Sequence, residues 1–286
     1  MSWETAAVNT LRSILLHIDA SPRSAKRLAL ACELAAQHDG RVTALYASTP
    51  AAFSVPFVMA DGAAEVLPML RQLDIDYRDQ AKALFDRSVP STTPPVPWRE
   101  LDDAAVIPGV AAQALCADLL VLGQHDASDP LTAGIPSDFV ASVLLASGRP
   151  ALLVPYVDTR TTFGPEVLIA WKASRESAHA VSAAMPFLRR ATRIHLAVAD
   201  EPGALDAPAQ ALEDYLRLHG VQAPVQHHPS VPSESAGDAL LSLAADVGAG
   251  LLVMGCYGHS RARELVLGGA SRTVLRSMTL PVLMAH

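Results

Sequence analysis

Short apolar runs alternate with amphipathic stretches along the whole chain. Ile14 to Ile18, Val42 to Ala47, Val167 to Trp171, Ile194 to Ala199 and Val221 to Gln226 have the length of buried strands. Between them the period changes. Ser21-Pro22 sets a hydroxyl cap and a first-turn proline ahead of Ala25, Leu28, Ala29, Cys32 and Ala36, which recur on one helical face. Ser174, with Glu176 in the first turn, opens a second helix of this kind. A third runs from about Leu67 to Ser88, with Leu67, Leu70, Leu73, Tyr77 and Leu84 on one side, and the proline-rich Pro90 to Pro97 ends it. Strand and helix in strict alternation predict an α/β fold built on doubly wound parallel sheets, with ligands expected at the carboxyl ends of the strands.

The pattern occurs twice. Ser13-Ile-Leu-Leu-His-Ile-Asp-Ala-Ser21 returns as Val167-Leu-Ile-Ala-Trp-Lys-Ala-Ser174, and Ser24 returns as Ser177. Ala117-Asp-Leu-Leu-Val-Leu-Gly123 returns as Ala249-Gly-Leu-Leu-Val-Met-Gly255, and Arg149-Pro-Ala-Leu-Leu-Val154 as Leu280-Pro-Val-Leu-Met-Ala285. The order is kept while the offset shrinks, so the first copy carries the longer middle. The proline-bounded, threonine-rich Pro155 to Pro165 suits a linker, which divides the chain into a first domain at 1–158 and a second at 159–286.

Composition narrows the function classes. The 286 residues are 50% hydrophobic and 18% charged, as in a packed globular protein. The formal net charge is −7, which argues against a generally basic nucleic-acid binder. Cys32, Cys116 and Cys256 are far apart and odd in number, so neither a disulfide framework nor a cysteine zinc site is written here. Leu119 to Gly123, Pro150 to Val157 and Leu251 to Gly255 are too short to cross a bilayer as helices, a span of about 20 residues. The start of the chain has no basic cluster ahead of an apolar run. The expectation is a cytoplasmic protein with no membrane or nucleic-acid partner.

Chemistry concentrates after the strand Leu251 to Met254, in Gly255-Cys-Tyr-Gly258-His-Ser-Arg-Ala-Arg-Glu-Leu-Val-Leu-Gly268-Gly269-Ala-Ser271. Glycines at a strand end let backbone approach a ligand, and free N–H groups at a helix start attract phosphate. The same glycines also serve a tight strand-to-helix connection, and spacing alone leaves both readings open. Glycine, two residues, glycine, nine residues, glycine resembles the nucleotide-binding signature of the universal stress protein family, as do the opening Asp19-Ala-Ser21 and the closing Pro281-Val-Leu strand. The resemblance covers nearly all of the chain as two copies.

It implies two flavodoxin-like, Rossmann-like domains in tandem, of the adenine nucleotide α-hydrolase type, with ATP as ligand and magnesium as its companion ion. The nucleotide-binding set it implies is Lys172, Val198, Gly255, Gly258, His259, Gly268, Gly269, Ala270 and Ser271. Three features depart from the family. Gly269 stands where a hydroxyl residue usually follows the third glycine, with Ser271 two positions on. Lys172 replaces the acidic residue that the first copy keeps as Asp19. In the first copy the signature is eroded to Gly123-Gln-His-Asp126 and Gly134-Ile-Pro-Ser137, and Asp126 is expected to repel a triphosphate.

Other chemistries lack their parts. There is no Gly-x-Gly-x-x-Gly, Walker-type Gly-Lys-Ser/Thr or Gly-x-Ser-x-Gly run. His227 and His228 are adjacent and on a strand would face opposite ways, which disfavours a metal pair. His259 and Arg261 read either as phosphate partners or as solvated loop residues, and Cys256 as packing, without a paired base. The leading expectation is a nucleotide-responsive regulator of the stress response, not an enzyme, with one ATP in the second copy and whole chains forming homodimers. The alternative is a protein-interaction module without nucleotide; weak ATP hydrolysis ranks third. The closing strands Ala151 to Val154 and Val282 to Ala285 are expected to pair.

Overall fold

A computed structural model describes residues 11–53, 63–90, 94–101, 105–157, 163–200, 209–232, 235–256 and 269–286. By its contacts the chain forms two units, 12–149 and 150–286.

The first unit runs β1 (Ser13–Ile18), α1 (Arg23–Gln37), β2 (Arg41–Tyr46), α2 (Ala63–Ser88), β3 (Trp98–Glu100), α3 (Val106–Ala114), β4 (Leu119–Gly123) and α4 (Phe139–Ser147). Its strands lie in the order β3-β2-β1-β4, all parallel. The chain moves outward from β1 to β3 and then returns to the far side of β1. Right-handed crossovers therefore place α1 and α2 on one face and α3 and α4 on the other. The packing of α1 on α2 and of α3 on α4 agrees. Covered on both faces, β1 and β4 are buried almost residue for residue, which is why they read as continuous apolar runs.

The second unit holds β5 (Ala151–Val154), β6 (Glu166–Trp171), α5 (Arg175–Leu188), β7 (Arg193–Asp200), α6 (Ala209–Leu218), β8 (Val225–Pro232), α7 (Ala236–Asp246), β9 (Leu251–Gly255), α8 (Gly269–Ser277) and β10 (Val282–Ala285). Strand order is β5-β10-β9-β6-β7-β8. All neighbours are parallel except β5 and β10, which pair antiparallel as Val282 with Leu153, Leu283 with Leu152 and Met284 with Ala151. The expected pairing of the closing strands is observed, and it makes β5 part of the second unit. The residue pair 158/159 lies outside the described residues.

Several local expectations change. β8 begins at Val225 and Val221 precedes it. Ser21 does not cap α1: the N-cap is Pro22, without a side-chain cap bond, and the hydroxyl that matters is Ser24. The buried stripe of α1 holds Ser24, Arg27, Leu28, Ala31 and Ala35, whereas Ala29 and Ala36 face solvent. Among the described side chains of α2, the buried apolar ones are Ala81, Leu84 and Phe85 in its last turns, while Leu67 and Leu73 are exposed.

Candidate functional site

In each unit the strand order reverses beside the first strand of the copy, between β1 and β4 and between β6 and β9. The crevice of a doubly wound sheet opens there, at the carboxyl ends.

The first crevice is filled by its own side chains. Arg27, from the buried stripe of α1, donates from Nη2 to Asp19 Oδ2 at 2.6 Å and to Ser24 Oγ at 2.7 Å. Ser24 in turn receives the Asp19 amide at 3.1 Å. A Cβ built on Gly123 would fall against Nη1 of Arg27, with Cζ at 3.0 Å, so the guanidinium occupies the space above the strand end. Burial works against the charge of Asp19, but Arg27 and the Ser21 amide hold its pKa below the ordinary 3.8. His17, beneath this pair, donates Nε2–H to the Ala47 carbonyl at 2.9 Å, and burial keeps its pKa below 6.5. Farther out Arg23 bridges Asp126 and Asp129, each at 2.8 Å.

Asp126 is thus buried and ionised, held by Ser128 and Arg23. The repulsion of phosphate expected from it is not what closes the crevice. Its charge is compensated internally, and Arg27 fills the space. The sequence reading missed Arg23 and Arg27; the available signal was an arginine three residues after Ser24 on an otherwise small and apolar face.

The second crevice is assembled differently. Val198, Lys172 and Gly255 stand at the carboxyl ends of three neighbouring strands, β7, β6 and β9. Lys172 is half-buried just beyond β6, and its carbonyl accepts the Ser174 amide at 2.7 Å. Ser174 caps α5 as expected, accepting from Ser177 N. The position equivalent to Arg27 is Ala180, fully buried, so α5 approaches β9 closely. A Cβ on Gly255 would lie 2.5 Å from the Ser177 nitrogen. That approach alone requires glycine, which is the packing reading of this residue.

The Cys256 amide donates to the Ala285 carbonyl at 2.9 Å, so backbone donors for an anion must come from elsewhere. Gly269, Ala270 and Ser271 form the first turn of α8; Gly269 is exposed with open space at its Cβ position, and Ser271 is buried. Gly258, His259, Arg261 and Gly268 lie outside the described residues.

A buried carboxylate, a thiol and three histidines complete the picture. Glu176 is buried in the first turn of α5. Burial works to raise its pKa, yet the Arg175 Nε bond and the bonds at the helix start hold it below 4.5. Cys256 is buried and its thiol is pushed up to about 12 by burial and by Glu176, so it is a packing residue. His227 and His228 face opposite ways as expected. His227 meets Glu213 of α6 at 2.6 Å, and His228 meets His195 Nδ1 at 2.9 Å, whose Nε2–H donates to Glu166 at 2.8 Å. Among the described residues no group of three or more His, Cys, Asp or Glu side chains is placed to hold a metal ion, and no helix is long and apolar enough to cross a membrane.

The sequence model of the universal stress protein family matches residues 10–155 and 166–286. A universal stress protein from Archaeoglobus fulgidus is similar in structure, with TM-score 0.63 and 18% identity over 96% of each chain. A protein of Pseudomonas aeruginosa described as functionally unknown aligns with TM-score 0.52 and 16% identity over 96% of this chain and 92% of its own. A universal stress protein solved in complex with cAMP covers 51% of this chain and 98% of its own, at 21% identity and TM-score 0.31. Among curated proteins none matches.

Proposed function

The chain belongs to the universal stress protein family, as two tandem copies, and from this we propose that it is a nucleotide-binding regulator that takes one ATP per chain in the second copy. Val198, Lys172 and Gly255 share the strand ends at the point where the sheet order reverses, and this is the observation that carries the reading. Gly269, open at the start of α8, supports it. The first copy supports it by contrast, since Arg27 and Asp19 fill the corresponding space. In this reading Gly258 and Gly268 supply backbone N–H groups to the phosphates, and His259 adds charge. Magnesium accompanies the triphosphate. In this reading binding proceeds without appreciable turnover and the chain signals by its bound state, in the cytoplasm and as a homodimer.

Calorimetric titration of the full chain with ATP and AMP tests the proposal, together with nucleotide analysis of freshly purified protein. One site of micromolar or weaker affinity is expected, and Gly268→Asp, which sets a carboxylate where phosphate is expected, abolishes it. Two equivalent sites, or unchanged affinity in Gly268→Asp, overturn it.

A further inference from the structure

The end of β6 carries a polar atom that has no hydrogen-bond partner among the described residues. Trp171 is half-buried, but its indole Nε1 is fully buried and finds no acceptor among the described residues. A buried donor without an acceptor is destabilising. The contrast with Trp98 is informative, because that indole donates to Glu100 Oε1 at 2.8 Å. The first copy has Ile18 at the equivalent position, so this donor is peculiar to the second copy.

Its position fixes which end of a ligand it would meet. Trp171 is in register with Val198 on β7, and neighbours in register present their side chains on one face of the sheet. That is the face on which His227, in register with Leu196, reaches Glu213 of α6. β7 lies on the opposite side of β6 from β9. A nucleotide with its phosphates toward the carboxyl end of β9 therefore extends its base and ribose toward Trp171 and Val198.

We propose that the Trp171 indole N–H is a ligand-binding donor, kept for an acceptor atom on the base or ribose of a nucleotide in the second copy's crevice. This rests on the nucleotide reading above but concerns the opposite end of the ligand from the glycines. The contact is independent of the number of phosphates. Removing the N–H while keeping an aromatic ring, in Trp171→Phe, weakens adenosine, AMP and ATP by the same factor, about five- to tenfold, the scale of one hydrogen bond.

The experiment titrates the full chain and Trp171→Phe with adenosine, AMP and ATP by calorimetry, and follows the indole N–H resonances of the unmutated chain by NMR. The resonance missing from the variant spectrum identifies Trp171, and adenosine alone should shift it. Equal losses for the three ligands together with that shift support the proposal. If the unmutated chain binds nucleotide but the variant binds equally well, or loses affinity for ATP alone, the proposal is overturned while the nucleotide reading stands. If adenosine shifts Trp171 but added phosphates bring no gain in affinity, the donor role stands and the phosphate reading falls. Absence of binding by all three overturns both.

Discussion

Arg27 and Ala180 hold equivalent helix positions in the two copies, and the side chain that one has and the other lacks decides what fills the space beside the strand-end glycine. In the first copy the guanidinium lies over Gly123 and neutralises Asp19; in the second, α5 itself moves in against Gly255. Closing the first crevice with buried ionisable groups makes its stability depend on acid. His17 is neutral in the folded chain because burial lowers its pKa below 6.5, so as pH falls through about 6.5 the unfolded chain takes up a proton that the folded chain refuses. Stability from this group is present above 6.5 and is lost below it. Asp19 has the same sign at lower pH: its contribution is full above about 3.8 and is lost as pH falls toward the folded value beneath that. Denaturant unfolding at pH 7.5 and pH 5.0 isolates the histidine. His17→Gln should lose less stability between the two than the parent chain, and an identical loss would show that His17 does not titrate across folding. Lys172 gives a second expectation at this scale. A half-buried ammonium root at the strand end supplies positive charge that a divalent ion otherwise brings to a triphosphate. Lys172→Asp should weaken ATP binding in chelator and make it depend on magnesium; the same magnesium response in both proteins would place the ammonium away from the phosphates.

At the scale of elements, the alternation of strands and helices was legible because parallel strands covered on both faces need uninterrupted apolar runs, and β1, β4, β6 and β9 are such runs. The interior of the crevices was not. The buried face of α1 includes Arg27 because it finds a partner in Asp19, just beyond β1; of the apolar spacing, Leu28 and Cys32 are buried as expected, while Ala29 and Ala36 are exposed. Gly255 shows the same limit from the other side. Spacing left it between a phosphate cradle and a tight connection, and the 2.5 Å approach of the Ser177 nitrogen to its missing Cβ gives the packing reading a physical basis. Gly255→Ala should therefore destabilise the chain by about 1–3 kcal/mol, since the methyl meets backbone that cannot rotate away. It should do so in the absence of any nucleotide. Thermal unfolding of the nucleotide-free protein checks this, and an unchanged midpoint would return Gly255 to a ligand role alone.

For the whole molecule, the sequence repeat places its boundary in the proline-bounded linker, while contacts divide the chain just before β5. The difference has one cause. β5 is the last strand of the first copy by descent, but one of its edges pairs with β10. Ala151 to Val154 and Val282 to Ala285 are all buried, so each strand shields an apolar edge of the other that would otherwise be free to recruit a further chain. A fragment of residues 150–286 keeps this pairing, so its β10 edge stays covered and it should associate less than a fragment without β5. A fragment of 163–286 lacks β5 and leaves the β10 edge open, so it should self-associate through β10 or aggregate. Light scattering on the two fragments at matched concentration is the test. If both fragments were monomeric, β5 would be dispensable as an edge cover, and the closing strands would owe their burial to the helices above and below them.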